Sequence, residues 1–254
     1  MNFDFLTPQE ALAAQLALKD MTKDEKIAYL HLLEKKEERH KLKIAQTNLI
    51  EFAKRVYPGF KVGPHHKRLA KIFQDVVEGR KKRVIINIAP RMGKSEFSSY
   101  LFPAYFLGNF PHKKIIMGTH TASLSEDFGR RVRNLIDGEE YKEIFPDTLV
   151  ADDQKAAGKW STGAGGQYYA AGVGGALAGR GADLFVIDDP HSEQDMKANS
   201  RLAFDNAWGW FQTGPLQRLM PGGAIIVIMT RWSLLDLTGR LIDYQIKKIG
   251  RAHV

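Results

Sequence analysis

The stretch Arg83-Val84-Ile85-Ile86-Asn87-Ile88-Ala89-Pro90-Arg91-Met92-Gly93-Lys94-Ser95-Glu96 decides the fold, because a short apolar run stops at a Gly-Lys-Ser where a helix can begin. That is the layout of a phosphate-gripping P-loop. Backbone N–H groups at a helix N-terminus carry partial positive charge, and glycine lets the main chain approach an anion. Lys94 adds a formal charge, and Ser95 can ligate Mg²⁺. A second apolar run, Leu184-Phe185-Val186-Ile187, ends in Asp188-Asp189. A strand-end acid is what holds Mg²⁺ in this class of site.

The runs that surround these two set the architecture. Strand-like segments at 84–88, 114–119, 184–187 and 224–229 alternate with helical stretches, which predicts a three-layer α/β P-loop NTPase fold with a mainly parallel sheet. The P-loop strand feeds a helix from Lys94 to about Leu101, and the next strand feeds a helix for which Ser123 and Glu126 offer a capping box. The glycine-rich region 163–181, with Tyr168 and Tyr169, reads as a hairpin. Met220-Pro221-Gly222-Gly223 reads as a turn into the strand that ends at Thr230-Arg231. Ahead of this core, Ala11, Leu12, Leu16, Ala17, Ile27, Leu30 and Leu33 recur at helical steps. We therefore expect an N-terminal helical arm over 1–50 and an ATPase domain over 51–248. The mixed charges of 34–41 read as the solvated face of that arm.

Composition narrows the partners. The net charge of +8 over 254 residues favours a polyanion, since excess Lys and Arg release counterions from phosphates. No cysteine is present, which excludes disulfide frames, thiol chemistry and zinc-finger spacing. Met1 to Leu6 lack the basic and apolar blocks of a signal peptide, and the longest apolar runs are too short to span a bilayer, so no membrane partner is expected.

A nucleoside triphosphatase must hold phosphates and metal, aim a water, and neutralise charge as the bond to the γ-phosphate breaks. Lys94 suits the β- and γ-phosphates, Ser95 and Asp188 the Mg²⁺ ion. Asp189 or Glu193 can aim the water, and the two stay open as alternatives.

Three ordered motifs now carry a resemblance: Pro90-Arg91-Met92-Gly93-Lys94-Ser95-Glu96; Gly179-Arg180-Gly181-Ala182-Asp183 leading to Ile187-Asp188-Asp189-Pro190; and Leu219-Met220-Pro221-Gly222-Gly223 leading to Met229-Thr230-Arg231-Trp232. Over roughly 48–241 the chain resembles the large terminase subunit of tailed bacteriophages. The resemblance implies an ATPase of the P-loop class with an additional central strand, which uses ATP and Mg²⁺ to drive double-stranded DNA through a portal into an empty procapsid. It implies a homo-oligomeric ring on the portal protein, a small terminase subunit as partner, and work in the host cell cytoplasm rather than in the mature virion.

Residue by residue, it makes 90–96 the nucleotide-binding turn. Thr230 becomes the residue that couples hydrolysis to movement, and Arg91 a P-loop arginine acting on the γ-phosphate. Arg180 stands where some members supply an arginine finger to a neighbouring subunit. His66 lies in the area of the adenine-contacting motif.

The chain departs from the pattern at Ile88, where the first P-loop glycine is usual, and at Asp189, where Glu is commoner. It stops at Val254, so the family's C-terminal nuclease is not expected from it. The ending Ile249-Gly250-Arg251-Ala252-His253-Val254 matches one reading frame of a common sequencing adapter, and we expect 249–254 to be a non-native tail. Two other readings compete: a helicase-like or other DNA translocase, and a truncated nucleotide-binding fragment without turnover.

Overall fold

Three helices lead the chain, and each starts where a side chain can accept orphan backbone N–H groups. The computed structural model describes residues 5–251, with the backbone alone for 153–155 and 246–251. Residues 1–4 and 252–254, and with them parts of the leader and tail expectations above, lie outside the described residues. Helix α1 (Pro8–Asp20) is capped by Thr7 and α2 (Lys23–Thr47) by Thr22, each in a reciprocal box with the Glu three residues on. Asn48 caps α3 (Leu49–Val56), its Oδ1 accepting from Ile50 N at 2.9 Å. The helical arm expected over 1–50 is thus cut at Met21 and Asn48.

Among the described residues much of the arm's apolar face has no cover. Leu12, Leu16 and Ile27 are exposed, while Leu33 and Ala45 are buried. The arm is fastened to the core by Gln46 Nε2, which donates to the Ile144 carbonyl at 2.6 Å. Arg55 clamps it further by pairing with Glu38 of α2 and with Glu143.

Helix α4 (Pro64–Val77) leads into β1 (Arg83–Asn87). After the loop 88–93 the chain enters a helix at Lys94 that passes into a π-helical turn, Glu96–Leu101, and then α5 (Phe102–Asn109). The sequence suggests a plain helix here. Pro103 explains the difference: it has no N–H for the Ser99 carbonyl, and Phe102 N donates to Phe97 O, five residues back.

Strand β2 (Lys114–Thr119) feeds α6 (Ala122–Ile136), followed by α7 (Glu139–Ile144). The cap of α6 is Thr121, whose side chain accepts from Leu124 N at 3.3 Å. The expected Ser123–Glu126 box is therefore absent, because the chain enters the helix two residues earlier, at Thr121.

Strands β3 (Val150–Ala156), β4 (Lys159–Thr162) and β5 (Gln167–Gly172) form an antiparallel run, with Tyr168 stacked on Trp160 at 5.1 Å. The hairpin expected within 163–181 therefore lies earlier: it is β4–β5, only its second strand falls in that region, and 173–181 are turns and loop. Strand β6 (Ala182–Asp188) follows, then α8 (Glu193–Lys197), α9 (Arg201–Thr213) and α10 (Pro215–Arg218). Last come β7 (Leu219–Met229) and α11 (Leu237–Arg251). The expected turn at 220–223 is a bulge at the start of β7: pairing with β6 jumps from Ala182↔Leu219 to Leu184↔Ala224, and Gly222 takes a φ of 84°.

Among the described residues seven strands form one sheet in the order β1-β7-β6-β2-β5-β4-β3, parallel from β1 to β5. Strand β7, the last in sequence among the described residues, sits between β1 and β6 as the additional central strand. Alternate residues of β2, β6 and β7 divide between two cores. Met117, Leu184, Val186 and Ile226 pack with Phe97 and Phe102, while Ile116, Phe185, Ile187 and Val227 pack with Trp210 and Phe211. Strands buried on both faces read as continuous apolar runs, which is why these were visible in the sequence. Among the described residues no helix is long and apolar enough to cross a membrane.

Candidate functional site

The strand order brings the C-terminal ends of β1, β7 and β6 side by side, and the chemistry-bearing residues follow those ends. At β1, Ile88 N donates to Met229 O at 3.2 Å, which launches the loop beside β7. Two residues of the loop, Arg91 and Gly93, adopt positive φ of 60° and 68°. Only glycine does so without steric cost, and Gly93 has a second constraint: a Cβ there would lie 3.2 Å from His66 Nε2. The turn closes so that Lys94 is 8% exposed.

Lys94 Nζ lies 2.5 Å from Asp189 Oδ2. Asp189 also reaches β7, its Oδ1 accepting from Thr230 N at 3.0 Å, and Thr230 Oγ1 donates to the Ile88 carbonyl at 3.2 Å. One carboxylate therefore connects the loop after β1 with the ends of both neighbouring strands. It does so from a left-handed backbone, φ 40°, unusual for any residue but glycine and best tolerated by Asp and Asn.

Asp188 is 2% exposed, and its Oδ2 accepts from Ser99 Oγ at 2.7 Å. Burial, reinforced by the neighbouring Asp189 charge, lifts its pKa to about 6, against the pull of the Ser99 and Ser95 hydroxyls and Lys94. Its Oδ1 is buried without a hydrogen-bond partner. A buried carboxylate oxygen left open among serine hydroxyls suits a hydrated divalent cation. Among the described residues no group of three or more His, Asp or Glu could hold a metal, so an ion here would need substrate oxygens and water to complete its shell.

The remaining candidates lie as follows. Pro90, Arg91 and Met92 form the exposed crest of the loop, and Arg91 has no hydrogen bond or ion pair among the described residues. Glu96 turns away to pair with Arg131 of α6 at 2.5 Å. His66 lies beneath the turn rather than open to a base: Gly63 N donates to its Nδ1 at 3.0 Å, and Phe60 and Phe97 flank the ring at 5.0 and 5.4 Å. Burial and the adjacent His65 lower its pKa, favouring a neutral ring with Nε2–H toward Gly93.

Glu193 is not brought to the cluster; it stands exposed on α8, paired with Lys197 at 3.4 Å. Arg180 stacks its guanidinium 3.6 Å from the Tyr169 ring centroid. It precedes the start of β6 while Asp188 ends it, and a strand of that length spans about 20 Å.

Sequence reasoning missed Ser99, Arg131 and His191. Ser99 lies four residues after Ser95, a helical spacing that could have flagged it; the other two carry no local signal. An open cavity of about 1000 Å³, bordered by His120, Gly174, His191, Trp210 and Arg218, flanks the acid strand on the side away from Lys94.

The sheet order and the loop after β1 define a P-loop NTPase fold of the additional-central-strand type. The solved large terminase of bacteriophage HK97 shares it, with a TM-score of 0.50 and 16% identity over 80% of this chain. An ATPase-domain variant of the large terminase of Thermus phage P74-26 aligns at a TM-score of 0.46, with 16% identity over 72% of this chain and 70% of its own. The chain spans 41% of the HK97 protein's length. No protein-family model and no curated protein matches the sequence.

Proposed function

We propose that this chain is the ATPase motor of a terminase-like DNA-packaging machine, hydrolysing ATP to move double-stranded DNA. The observation that carries the reading is the bridge Lys94–Asp189–Thr230–Ile88, which joins the phosphate-binding loop, the acid strand and the central strand through one carboxylate.

The N–H groups of 91–95 and Lys94 receive the β- and γ-phosphates, with Arg91 on the exposed crest free to reach the γ-phosphate. Ser95 and Asp188 would hold Mg²⁺, which supplies charge neutralisation across the phosphates when bound. Phosphate oxygens compete with Asp189 for Lys94. The freed Asp189 carboxylate then faces the γ-phosphate side, where it can orient the attacking water and accept its proton. Asp189 is favoured over Glu193 for this task because Asp189 lies at the cluster and Glu193 does not.

The same displacement is felt by Thr230 N, so the end of β7 senses which partner Lys94 holds. That is the property required of a coupling residue. Arg180, at the far end of β6 from its own phosphate site, can serve only a neighbour's site, which fits a homo-oligomeric ring on a portal protein with a small terminase subunit. The net charge of +8 suits a DNA partner, and the setting would be the host cytoplasm.

Steady-state phosphate release with and without double-stranded DNA tests the reading. DNA-stimulated turnover supports a motor, whereas tight ATP binding without turnover, with or without DNA, makes the chain a passive nucleotide binder.

A further inference from the structure

The Asp188-Asp189 loop continues into Pro190 and His191, and His191 is buried, 7% exposed. Phe204 of α9 holds it edge-on at 5.4 Å and 78°. Its Nε2 accepts a hydrogen bond from Leu237 N at 2.9 Å, the first amide of α11 and 46 residues away in sequence. Burial lowers the His191 pKa against the opposing pull of the Asp236, Asp195 and Asp189 carboxylates, with Arg240 adding to the lowering. At neutral pH the ring is therefore uncharged and Nε2 is available as an acceptor.

The same turn of chain is gripped from the other side. Asp236, fully buried, caps α11 by accepting from Gly239 N at 2.8 Å. Its second oxygen accepts from Arg231 Nε, Trp232 N and Ser233 N, each at 3.1 Å. The first turn of α11 thus hangs from two strand ends, β7 through Arg231 and β6 through His191. These are the strands whose tips carry Thr230 and Asp189. Between Asp189 and His191 stands only Pro190, whose ring fixes φ and makes the link stiff.

We infer that His191 is a positioning residue that carries the state of the acid loop to the first turn of α11, so that displacement of Asp189 from Lys94 alters how that helix is held. The inference rests on the ATPase reading and goes beyond it, by naming the element that leaves the site with the signal. An amide freed from a side-chain acceptor exchanges its hydrogen faster. A hydrogen bond of ordinary net strength corresponds to about a fivefold change.

The test is hydrogen exchange in the segment 237–244 of the full chain, with and without saturating ATPγS and Mg²⁺. In the wild type, nucleotide should change exchange in the first turn of α11 by about fivefold. His191→Phe keeps the ring and removes the acceptor. It should bind ATPγS within about twofold of wild type while the nucleotide-dependent change disappears. His191→Gln, whose Oε1 can stand near the Nε2 position, should restore it. Leu237→Pro removes the donor instead, at a helix position that accepts proline, together with a fully buried leucine of the second core, and should also abolish the nucleotide-dependent change. A nucleotide-dependent change that persists undiminished in His191→Phe or Leu237→Pro overturns the inference. So does wild-type protein that binds ATPγS with no response in α11. Wild-type protein that binds no ATPγS refutes the ATPase reading and the inference together.

Discussion

Replacing Asp189 with asparagine separates the two tasks given to that side chain. Asparagine tolerates the left-handed backbone at φ 40° and keeps an oxygen for the 3.0 Å bond from Thr230 N, so the fold of the loop should survive. What disappears is one negative charge 2.5 Å from Lys94 Nζ. The lysine side chain is 9% exposed and the aspartate 34%, so the pair is stronger than a surface ion pair but is partly screened. A net worth of about 1 kcal/mol follows. Nucleotide no longer has to displace that carboxylate, and ATPγS should bind about fivefold tighter. Turnover should move the other way. Loss of a positioned proton acceptor costs about 10²–10⁴ in rate, so the variant should hold ATP and hardly cleave it. Titration of a fluorescent ATP analogue and steady-state phosphate release read the two effects separately. Turnover like wild type, or weaker nucleotide binding, would refute the assignment of Asp189, and normal turnover in Asp189→Asn with loss in Glu193→Gln would pass the role to Glu193.

Lys94→Ala should lower ATP turnover by about 10²–10³, because charge in the transition state is left uncompensated; an unchanged rate would remove the P-loop from the mechanism. Ser99→Ala deletes the hydrogen bond to Asp188 Oδ2 and should weaken the Mg²⁺ requirement curve by about tenfold at saturating ATP, with maximal rate largely kept. An identical Mg²⁺ dependence would show that Ser99 does not orient Asp188. In a full-length assembled motor, Arg180→Ala subunits mixed with Lys94→Ala subunits should regain ATPase activity. Each lacks a different half of a shared site, and arginine fingers supply about 10³–10⁵ in turnover. No recovery across mixing ratios, with assembly verified, would leave Arg180 as a residue stacked on Tyr169.

The parts legible in the sequence are those whose cause is local. Leu184 to Ile187 and Ala224 to Met229 are buried on both faces, so an unbroken apolar run marks them, and glycine or acid ends them. Asp188 stands at such an end, and Lys94 is marked by the Gly93 turn that follows β1. What could not be read depends on sheet order. That Asp189 meets Thr230 follows from β7 lying beside β6, and no spacing along the chain between 189 and 230 encodes it. Arg131 reaches Glu96 from another helix, and His191 reaches Leu237 across the layers. The cap of α6 failed for a smaller reason: Thr121 and Ser123 are both good caps, and the path of the chain out of β2 chose the first.

The late position of β7 in the chain has a consequence for how the molecule is made. Residues 219–229 fill the gap between β1 and β6, and β1 pairs with β7 alone. Until Met229 has left the ribosome the sheet can exist only as the five-stranded fragment β6-β2-β5-β4-β3 without β1, which has no partner to zip against. Every strand pairing of β1 is then separated by some 140 residues from its mate, as in the pairing of Arg83 with Ile225. Such long closures make folding slow and leave apolar strand edges open during synthesis. The phosphate-binding loop therefore acquires its shape last, when the central strand arrives, and a nascent chain short of β7 is a candidate for chaperone capture rather than for nucleotide.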